Sequence, residues 1–389
     1  MQPRGTVFLK PKKERKVRNN YPWIQRGEVE RTEGQLEDGA LARLASSDGE
    51  VLGIGTWNGQ SRFRFRVLSK ADEEVNEQFF ADRFAQAIKL REQLVTGTNA
   101  RRIVYSEADQ LPGLIMDDYD GHIVVQVRSL GMEKLKSVWL PALIETAKPK
   151  SVYERSEMQG REEEGLAPFA GQLHGETPNE VEITESDLTF IVPLKKGLKT
   201  GFYLDQRNTR RRFAERVTAG QSVLDAFCYT GAFALYAARA GASATGLDIH
   251  TEALALARRN ATANSLNAEF IEANVFDWLE EDTDSMFDWI VLDPPAIAKT
   301  GHQRDSLKWA VWKLVHRAIP HLNPGGRLIV CSCSYQVDQR ELVETARLAA
   351  SDRGVRMYLE DVTIQDLDHP ATIQFPESLY LKCAWLRMG

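Results

Sequence analysis

The sequence has few cysteines and no long apolar run, and each absence narrows the class of protein. Its 389 residues include four cysteines, too sparse for a disulfide-stapled secreted domain. No CxxC spacing occurs, so we expect reduced thiols and no metal site. No stretch approaches about 18 uninterrupted apolar residues, and the first residues lack the apolar segment of a signal peptide. We therefore expect a cytoplasmic protein that does not bind a membrane.

An excess of charge of one sign is also missing. The net charge is −6, from 49 basic and 55 acidic residues, which argues against a dedicated polyanion binder. The basic residues are nevertheless clustered. The segment from Arg4 to Arg31 contains nine Lys or Arg residues and only three Glu residues. A second cluster comprises Arg207, Arg210, Arg211, Arg212 and Arg216. Each cluster fits either a solvated surface or a local nucleic-acid contact.

The spacing of apolar and turn residues predicts an α/β chain with three domains. Short alternating segments separated by turn residues in 1–70 predict a small antiparallel β-barrel. One strand of this barrel is predicted to carry a basic face, formed by Arg62, Arg64 and Arg66. Residues 71–192 predict a central α+β domain. From there to the end, 193–389, buried strands alternate with helices, which indicates a parallel, doubly wound sheet.

Within the central domain the pattern predicts particular elements. Helices are expected over 73–95 and 130–146, because apolar residues recur at helical spacing there. The stretch 159–178 is acidic and glycine-rich, which predicts an exposed loop. A hairpin is expected over 181–192.

Acidic and small residues follow successive strands of the doubly wound sheet, where such sheets bind ligands. The first strand leads through Asp225, Phe227 and Tyr229 to Gly231, whose small size would let a ligand approach the helix start. Asp248 ends the second strand and suits a ribose diol, and Thr251 is a plausible cap for the next helix. The pyrophosphate of NAD would be crowded by the bulky Phe227 and Tyr229 and repelled by the acid Asp225. They suit the cationic amino-acid end of S-adenosylmethionine.

Two further strands complete this predicted crevice. Asn274 follows the third strand, where its amide oxygen can accept a hydrogen bond from an adenine amino group. Asp293 begins an Asp-Pro-Pro turn after the fourth strand. Cys331 and Cys333 share a face of the last strand, and Cys333 lies nearer the carboxyl end. A thiol there suits methylation at C5 of a pyrimidine, which requires a thiolate to add at C6. We interpret Cys331 as a buried hydrophobe, and His369 either lines the site or fills a turn.

Several motifs resemble, in order along the chain, the PUA-domain-containing 23S rRNA (cytosine-C5)-methyltransferases. They are Lys199-Thr-Gly-Phe-Tyr-Leu-Asp-Gln-Arg207, Tyr229-Thr-Gly231, Asp293-Pro-Pro295, Ser332-Cys-Ser334 and Asp368-His-Pro370. The resemblance implies an N-terminal RNA-binding PUA barrel, a central α/β domain and a C-terminal Rossmann-like class I methyltransferase domain. It implies that Cys333 is the nucleophile and that the segment with Lys199, Tyr203 and Gln206 packs over the cofactor. Asp225, Asp248 and Asn274 match the methionine-end, ribose and adenine positions.

The sequence therefore predicts an S-adenosylmethionine-dependent enzyme that forms 5-methylcytidine in 23S rRNA. Extrusion of the cytosine gives access to its faces, with Asp293 holding the polar edge of the base. The residue after Pro295 is Ala296, so the second cysteine of other RNA cytosine methyltransferases is absent. The alternatives are a base N-methyltransferase, a non-catalytic rRNA-binding scaffold and, ranked last, an NAD oxidoreductase. A homodimer is one candidate assembly.

Overall fold

The computed structural model describes residues 1–158, 160–281, 284–295 and 303–389. Contacts divide the chain into two compact units. The first comprises Met1–Ile183, Val192–Phe202 and Leu367–Ser378, and the second comprises Thr184–Ile191, Tyr203–Asp366 and Leu379–Gly389. In the described ranges, no helix combines the length and apolarity needed to cross a bilayer. Because these units join segments distant in the chain, they are a different division from the three predicted domains, which stay a prediction.

A six-stranded sheet occupies the N-terminal part of the first unit. Its elements are β1 (Gly5–Leu9), α1 (Glu14–Arg18), β2 (Trp23–Gln25), β3 (Val29–Gly34), β4 (Leu41–Ala45), β5 (Val51–Trp57) and β6 (Phe63–Ser69). The strand order is β2-β6-β5-β4-β1-β3. Alternating residues such as Val7, Leu44 and Phe65 point into a shared core. The predicted small β-structure is confirmed, although β1 and β4 pair in parallel.

The predicted basic face of β6 is wrong. Arg64 and Arg66 are only 8% and 9% exposed. The Arg66 guanidinium forms ion pairs with Glu107 at 3.1 Å and with Glu164 at 2.9 Å. These acids lie far away in the sequence, so alternation along one strand could not reveal that they neutralise the arginine.

A five-stranded sheet and its helices complete most of the first unit. The elements are α2 (Glu77–Leu94), β7 (Ala100–Tyr105), β8 (Leu114–Tyr119), β9 (His122–Val127), α3 (Leu130–Lys134), α4 (Lys136–Ala147), β10 (Ser151–Ser156) and β11 (Phe169–Gly175). The strand order is β11-β10-β9-β8-β7. Helix α2 begins where the Asn76 side chain accepts a hydrogen bond from Phe79 N–H, the arrangement of an N-cap.

Two predictions in this region need correction. The single helix expected over 130–146 is divided into α3 and α4, which meet at Leu135. The loop expected over 159–178 contains β11, which pairs antiparallel with β10. Strand β11 is largely exposed, so it lacks the apolar alternation by which a strand is recognised. The predicted hairpin is confirmed as β12 (Glu180–Glu185) and β13 (Leu188–Pro193).

The second unit is built on a seven-stranded sheet. Its strands are β14 (Ser222–Ala226), β15 (Ser243–Asp248), β16 (Glu269–Glu272), β17 (Phe287–Leu292), β18 (Leu322–Ser332), β19 (Met357–Ile364) and β20 (Lys382–Met388). Its helices are α5 (Arg207–Ala214), α6 (Ala232–Arg239), α7 (Thr251–Ala263), α8 (Val275–Glu281), α9 (Gln303–Ala318) and α10 (Gln339–Asp352). Strand β17 is an almost wholly buried apolar run, typical of a parallel strand covered on both faces.

The strand order β16-β15-β14-β17-β18-β20-β19 reverses direction between β14 and β17. The five strands β14 to β18 are mutually parallel, as predicted. Strand β20, however, is antiparallel to both β18 and β19, so the sheet is mixed. In doubly wound sheets the ligand crevice lies at the carboxyl ends of the strands where the order reverses.

Candidate active site

Four parallel strands of the second unit end beside one another and carry most of the predicted site residues. Asp225 lies on β14, Asp248 ends β15, Asp293 directly follows β17 and Cys333 directly follows β18. Since β14, β15, β17 and β18 are consecutive parallel neighbours, these residues lie along one edge of the sheet. The sheet therefore brings these four predicted residues to neighbouring strand ends.

The backbone of the turn after β14 is strained. Phe227 has φ +66° and Tyr229 has φ +50°, an uncommon conformation for aromatic residues. Three bonds fix it: Cys228 N–H donates to Leu247 O at 2.8 Å, Gly231 N–H to Cys228 O at 2.8 Å and Tyr229 N–H to Asp248 Oδ2 at 2.9 Å. Such strain clusters at functional sites.

Gly231 is required for packing. Its φ is +80°, and a Cβ there would lie 2.8 Å from the Phe270 ring. The sequence analysis explained Gly231 by a ligand that approaches the start of the helix. The structure adds that a neighbouring side chain also demands a glycine.

Asp225 is a buried carboxyl with a raised pKa. It is 1% exposed, and its Oδ2 accepts a hydrogen bond from Ala234 N–H, in the first turn of α6, at 3.0 Å. Burial raises its pKa to about 8; the hydrogen bond from Ala234 N–H opposes this rise, and the negative charges of Asp293 and Asp248 add to it. The site therefore favours a positive charge beside this carboxyl.

Asp248 is already engaged by the backbone around it. Besides Tyr229 N–H, it accepts from His250 N–H at 2.9 Å and contacts His250 Nδ1 at 2.8 Å. The expected helix cap at Thr251 is wrong, because α7 begins after His250 and the Thr251 hydroxyl donates to Glu272. A carboxylate has about four acceptor positions, and these three contacts leave Asp248 one position for a further hydroxyl.

Asn274 lies in the turn between β16 and α8. The turn is joined to β15 by a bond from Ala273 N–H to Asp248 O at 3.0 Å. The amide oxygen of Asn274 accepts from Phe276 N–H at 3.0 Å, and the Phe276 ring contacts Phe227 edge-on with centroids 6.1 Å apart. Asn274 and Phe227 thus border the same end of the crevice.

Tyr203 and Gln206 reach this site from the segment before α5. Gln206 Nε2 donates to Asp293 Oδ2 at 2.9 Å. The Tyr203 ring packs edge-on against Tyr229, with centroids 5.4 Å apart. Burial raises the pKa of Tyr203, and the negative charges of Asp293 and Asp205 raise it further. The two predicted residues therefore lie with the strand-end residues.

A buried ion-pair network holds this segment in place. Arg210 donates to Tyr203 O at 3.0 Å and pairs with Glu185 at 2.7 Å. Burial alone would raise the pKa of Glu185, but the charges of Arg210 and Arg207, together with hydrogen bonds from Arg210 and Tyr236, lower it overall. The cluster that the sequence left open is therefore partly internal: Arg207 and Arg210 are buried, and Arg212 and Arg216 pair with Asp361.

The four cysteines differ in exposure. Cys333 is partly exposed, whereas Cys228, Cys331 and Cys383 are buried. Cys331 lies opposite Cys383 in the β18–β20 pairing, and burial, followed by the neighbouring Cys383, raises the pKa of the Cys331 thiol. This placement agrees with the interpretation of Cys331 as a buried apolar residue and leaves Cys333 as the accessible thiol.

Two other sequence candidates are not part of the second unit. Lys199 and His369 belong to the first unit, where His369 is buried and its Nδ1 contacts Asp368 Oδ1 at 2.6 Å. Ala296 lies outside the described residues. The sequence argument missed Lys382, which begins β20 and contacts the loop after Cys333. Its pairing with β18 is a long-range feature that no local motif signals.

Comparisons with known proteins match these observations. A PUA-like domain model matches residues 7–70, and a methyltransferase small domain model matches residues 211–358. The curated ribosomal RNA large subunit methyltransferase I of Shewanella frigidimarina is 38% identical over 387 residues, which cover 97% of both chains. The protein of the same name from Aeromonas salmonicida is 36% identical over 386 residues, again 97% of both.

Two solved structures share the fold over nearly their whole length. A protein assigned as a SAM-dependent methyltransferase from Streptococcus mutans has a TM-score of 0.85 at 20% identity, covering 98% of this chain and 99% of that one. A second, solved in complex with SAH, has a TM-score of 0.86 at 21% identity with the same coverage. At these identities the likeness concerns the fold.

Proposed function

This chain belongs to the ribosomal RNA large subunit methyltransferase I family, and from that membership we propose that it methylates C5 of a cytosine in 23S rRNA. The methyl donor is S-adenosylmethionine. The observation that carries the proposal is the alignment of Asp225, Asp248, Asp293 and the accessible Cys333 at adjoining strand ends. A ribosomal RNA substrate agrees with a cytoplasmic location, and a homodimer stays a prediction.

The residues of the crevice fit S-adenosylmethionine. The buried Asp225 carboxyl, with its pKa raised to about 8, gains from a cation such as the ligand's ammonium group. Asp248 is suited to a ribose hydroxyl and Asn274 to the adenine edge. The negative charges of Asp248 and Asp293 disfavour ionisation of Asp225, and three acidic side chains at one sheet edge disfavour a pyrophosphate. When bound, S-adenosylmethionine supplies a methyl group on a sulfonium, a strong electrophile.

The chemistry assigned to Cys333 is a covalent addition. Its thiolate adds to C6 of the cytosine, which makes C5 nucleophilic toward the methyl group. After C5 has gained the methyl, a base removes the C5 proton. The electron pair of that C–H bond restores the C5–C6 double bond and expels Cys333 as a thiolate. Asp293, held by Gln206, is positioned to bind the polar edge of the base.

Contact with RNA outside the crevice is assigned to the first unit. With Arg64 and Arg66 buried, the exposed basic side chains of the first unit include Lys10, Lys12 and Lys13 in the turn after β1 and Arg15 on α1. Basic side chains in such a cluster neutralise backbone phosphates without regard to sequence. Base specificity is left to the crevice of the second unit.

A comparison of two cysteine variants tests this function. Cys333→Ala is expected to abolish transfer of a tritiated methyl group to 23S rRNA, while calorimetry shows unchanged binding of S-adenosylhomocysteine. Cys331→Ala is the matched control, because this neighbouring thiol is buried, and it is expected to remain active. Full activity of Cys333→Ala would exclude the covalent route, and a labelled product other than 5-methylcytidine would exclude the assigned position.

A further inference from the structure

We infer that Lys382 is a positioning residue for Cys333, which fixes the loop after the cysteine and supplies the positive charge that stabilises its thiolate. The inference rests on the proposed function, in which Cys333 is the nucleophile. A thiolate is the reactive form of a cysteine, and a neighbouring lysine favours it.

Strand pairing brings Lys382 to the cysteine. Lys382 is the first residue of β20, and its partner across the antiparallel pair with β18 is Ser332, the residue before Cys333. On its other side Lys382 pairs with Ile364 of β19. The lysine is therefore anchored between two strands at the end of the sheet where the site lies.

The Lys382 ammonium joins both ends of the loop that follows Cys333. It donates to the carbonyl of Ser334, directly after the cysteine, and to the carbonyl of Val337 at 2.6 Å. The residue after Val337, Asp338, caps α10. Two of the three ammonium N–H groups thus tie the cysteine loop to the start of a helix, which restricts where the thiol can lie.

Burial of this lysine is itself informative. Lys382 is 2% exposed, and lysine is almost never fully buried unless its charge is compensated. Two neutral carbonyls satisfy hydrogen bonds but provide no full negative charge. A thiolate at Cys333 would add to the negative charge of the nearby Asp338 and Glu341 carboxylates, so the buried cation and the reactive anion favour each other.

The other groups around this pair define the electrostatic balance. Burial lowers the pKa of Lys382 to about 8, and the carboxylates of Asp338 and Glu341 oppose this shift, as would a thiolate at Cys333 or Cys383. Glu341 is also bound by Lys308 and Arg304, which lower its pKa to about 2. On the other side, Cys333 interacts with Tyr203, which also lies within the field of Asp293. The negative charge of Asp293 opposes a thiolate, and Lys382 offsets it.

The test measures the thiolate directly in the full-length protein. The alkylation rate of Cys333 by iodoacetamide is followed against pH by mass spectrometry of its peptide. Lys382→Gln retains a hydrogen-bond donor and removes the charge. We expect its rate profile to move up by about one pH unit, so that alkylation near neutral pH is about tenfold slower while the plateau at high pH is unchanged. Lys382→Arg is expected to keep the wild-type profile.

Two controls make the result specific. Lys313→Met removes a lysine that contacts the Phe276 and Trp309 rings, and it is expected to leave the profile unchanged. Binding of S-adenosylhomocysteine reports whether each variant is folded. An unshifted profile in Lys382→Gln, or an equal loss of rate at every pH, would overturn the inference. Because alkylation needs no RNA, this failure is distinct from failure of the methyl-transfer assay with Cys333→Ala.

Discussion

Burial strongly disfavours the ionised form of the Asp225 carboxyl. With a pKa of about 8, the free site carries a proton near neutral pH, whereas a bound ammonium favours the carboxylate. Binding therefore releases a proton, and affinity for S-adenosylhomocysteine is expected to rise between about pH 6 and about pH 7, by at most tenfold. Calorimetry measures both quantities. Equal affinity at both pH values, without proton release, would contradict this role.

The same carboxyl affects stability in a defined pH window. Its pKa rises from 3.8 in the unfolded chain to about 8 in the folded one, so the folded state holds a proton that the unfolded state has lost. The stability contributed by this group therefore falls as pH rises from about 4 to about 8. Asp225→Asn should gain stability relative to the wild type across that window, measured by urea unfolding. A difference independent of pH would contradict the shift.

The position of a site residue was predictable where it lies at the end of a strand that the sequence pattern reveals. Asp225, Asp248, Asp293 and Cys333 each directly accompany a recognisable parallel strand, so the end of that strand placed them. Lys382 was not predictable, because its meeting with Cys333 depends on the pairing of β18 with a strand far along the chain. The burial of Arg210 was missed for a similar reason, since its partner Glu185 lies on the hairpin.

At the scale of elements, the turn between β14 and α6 determines the shape of the crevice. Gly231→Ala forces a Cβ to within 2.8 Å of Phe270 at φ +80°. We expect it to lower the free energy of unfolding by about 1–3 kcal/mol and to weaken S-adenosylhomocysteine binding. Urea unfolding and calorimetry measure these effects.

Gly220 provides a matched control for that substitution. Its φ is +82°, and a Cβ there would meet nothing within 4 Å. Gly220→Ala therefore reports the backbone strain without the clash, and it should cost less than Gly231→Ala and leave ligand binding intact. Equal effects of both substitutions would show that the Phe270 contact is unimportant.

Elements were predictable where their burial produced a periodic apolar pattern. The apolar runs of β17 and β18 and the amphipathic α2 gave clear periodic signals, and all three are present. The exposed edge strand β11 gave none, because its side chains face solvent and its identity rests on backbone pairing with β10. Strand β20 was missed as well, although it is mostly buried, and its antiparallel insertion makes the sheet mixed.

At the scale of the whole molecule, the two N-terminal predicted domains share a hydrophobic core. Ile54 of β5 packs in one cluster with Phe80 of α2 and Trp139 of α4. Ile54→Ala is expected to destabilise this unit by about 2–5 kcal/mol and to reduce hydrogen-exchange protection in β5 and α2 together. Val51→Ala on the same strand is the control, since Val51 is 44% exposed. Loss of protection confined to residues 1–70 would contradict a shared core.

The central claim is a covalent bond between Cys333 and C6 of a cytosine in RNA. In 23S rRNA transcribed with 5-fluorocytidine, fluorine replaces the C5 proton, so the final elimination cannot proceed and the adduct persists. With S-adenosylmethionine present, denaturing electrophoresis should reveal a stable protein–RNA species for the wild type and Cys331→Ala, and none for Cys333→Ala. Absence of the adduct in a wild-type enzyme that still methylates ordinary rRNA would contradict the account.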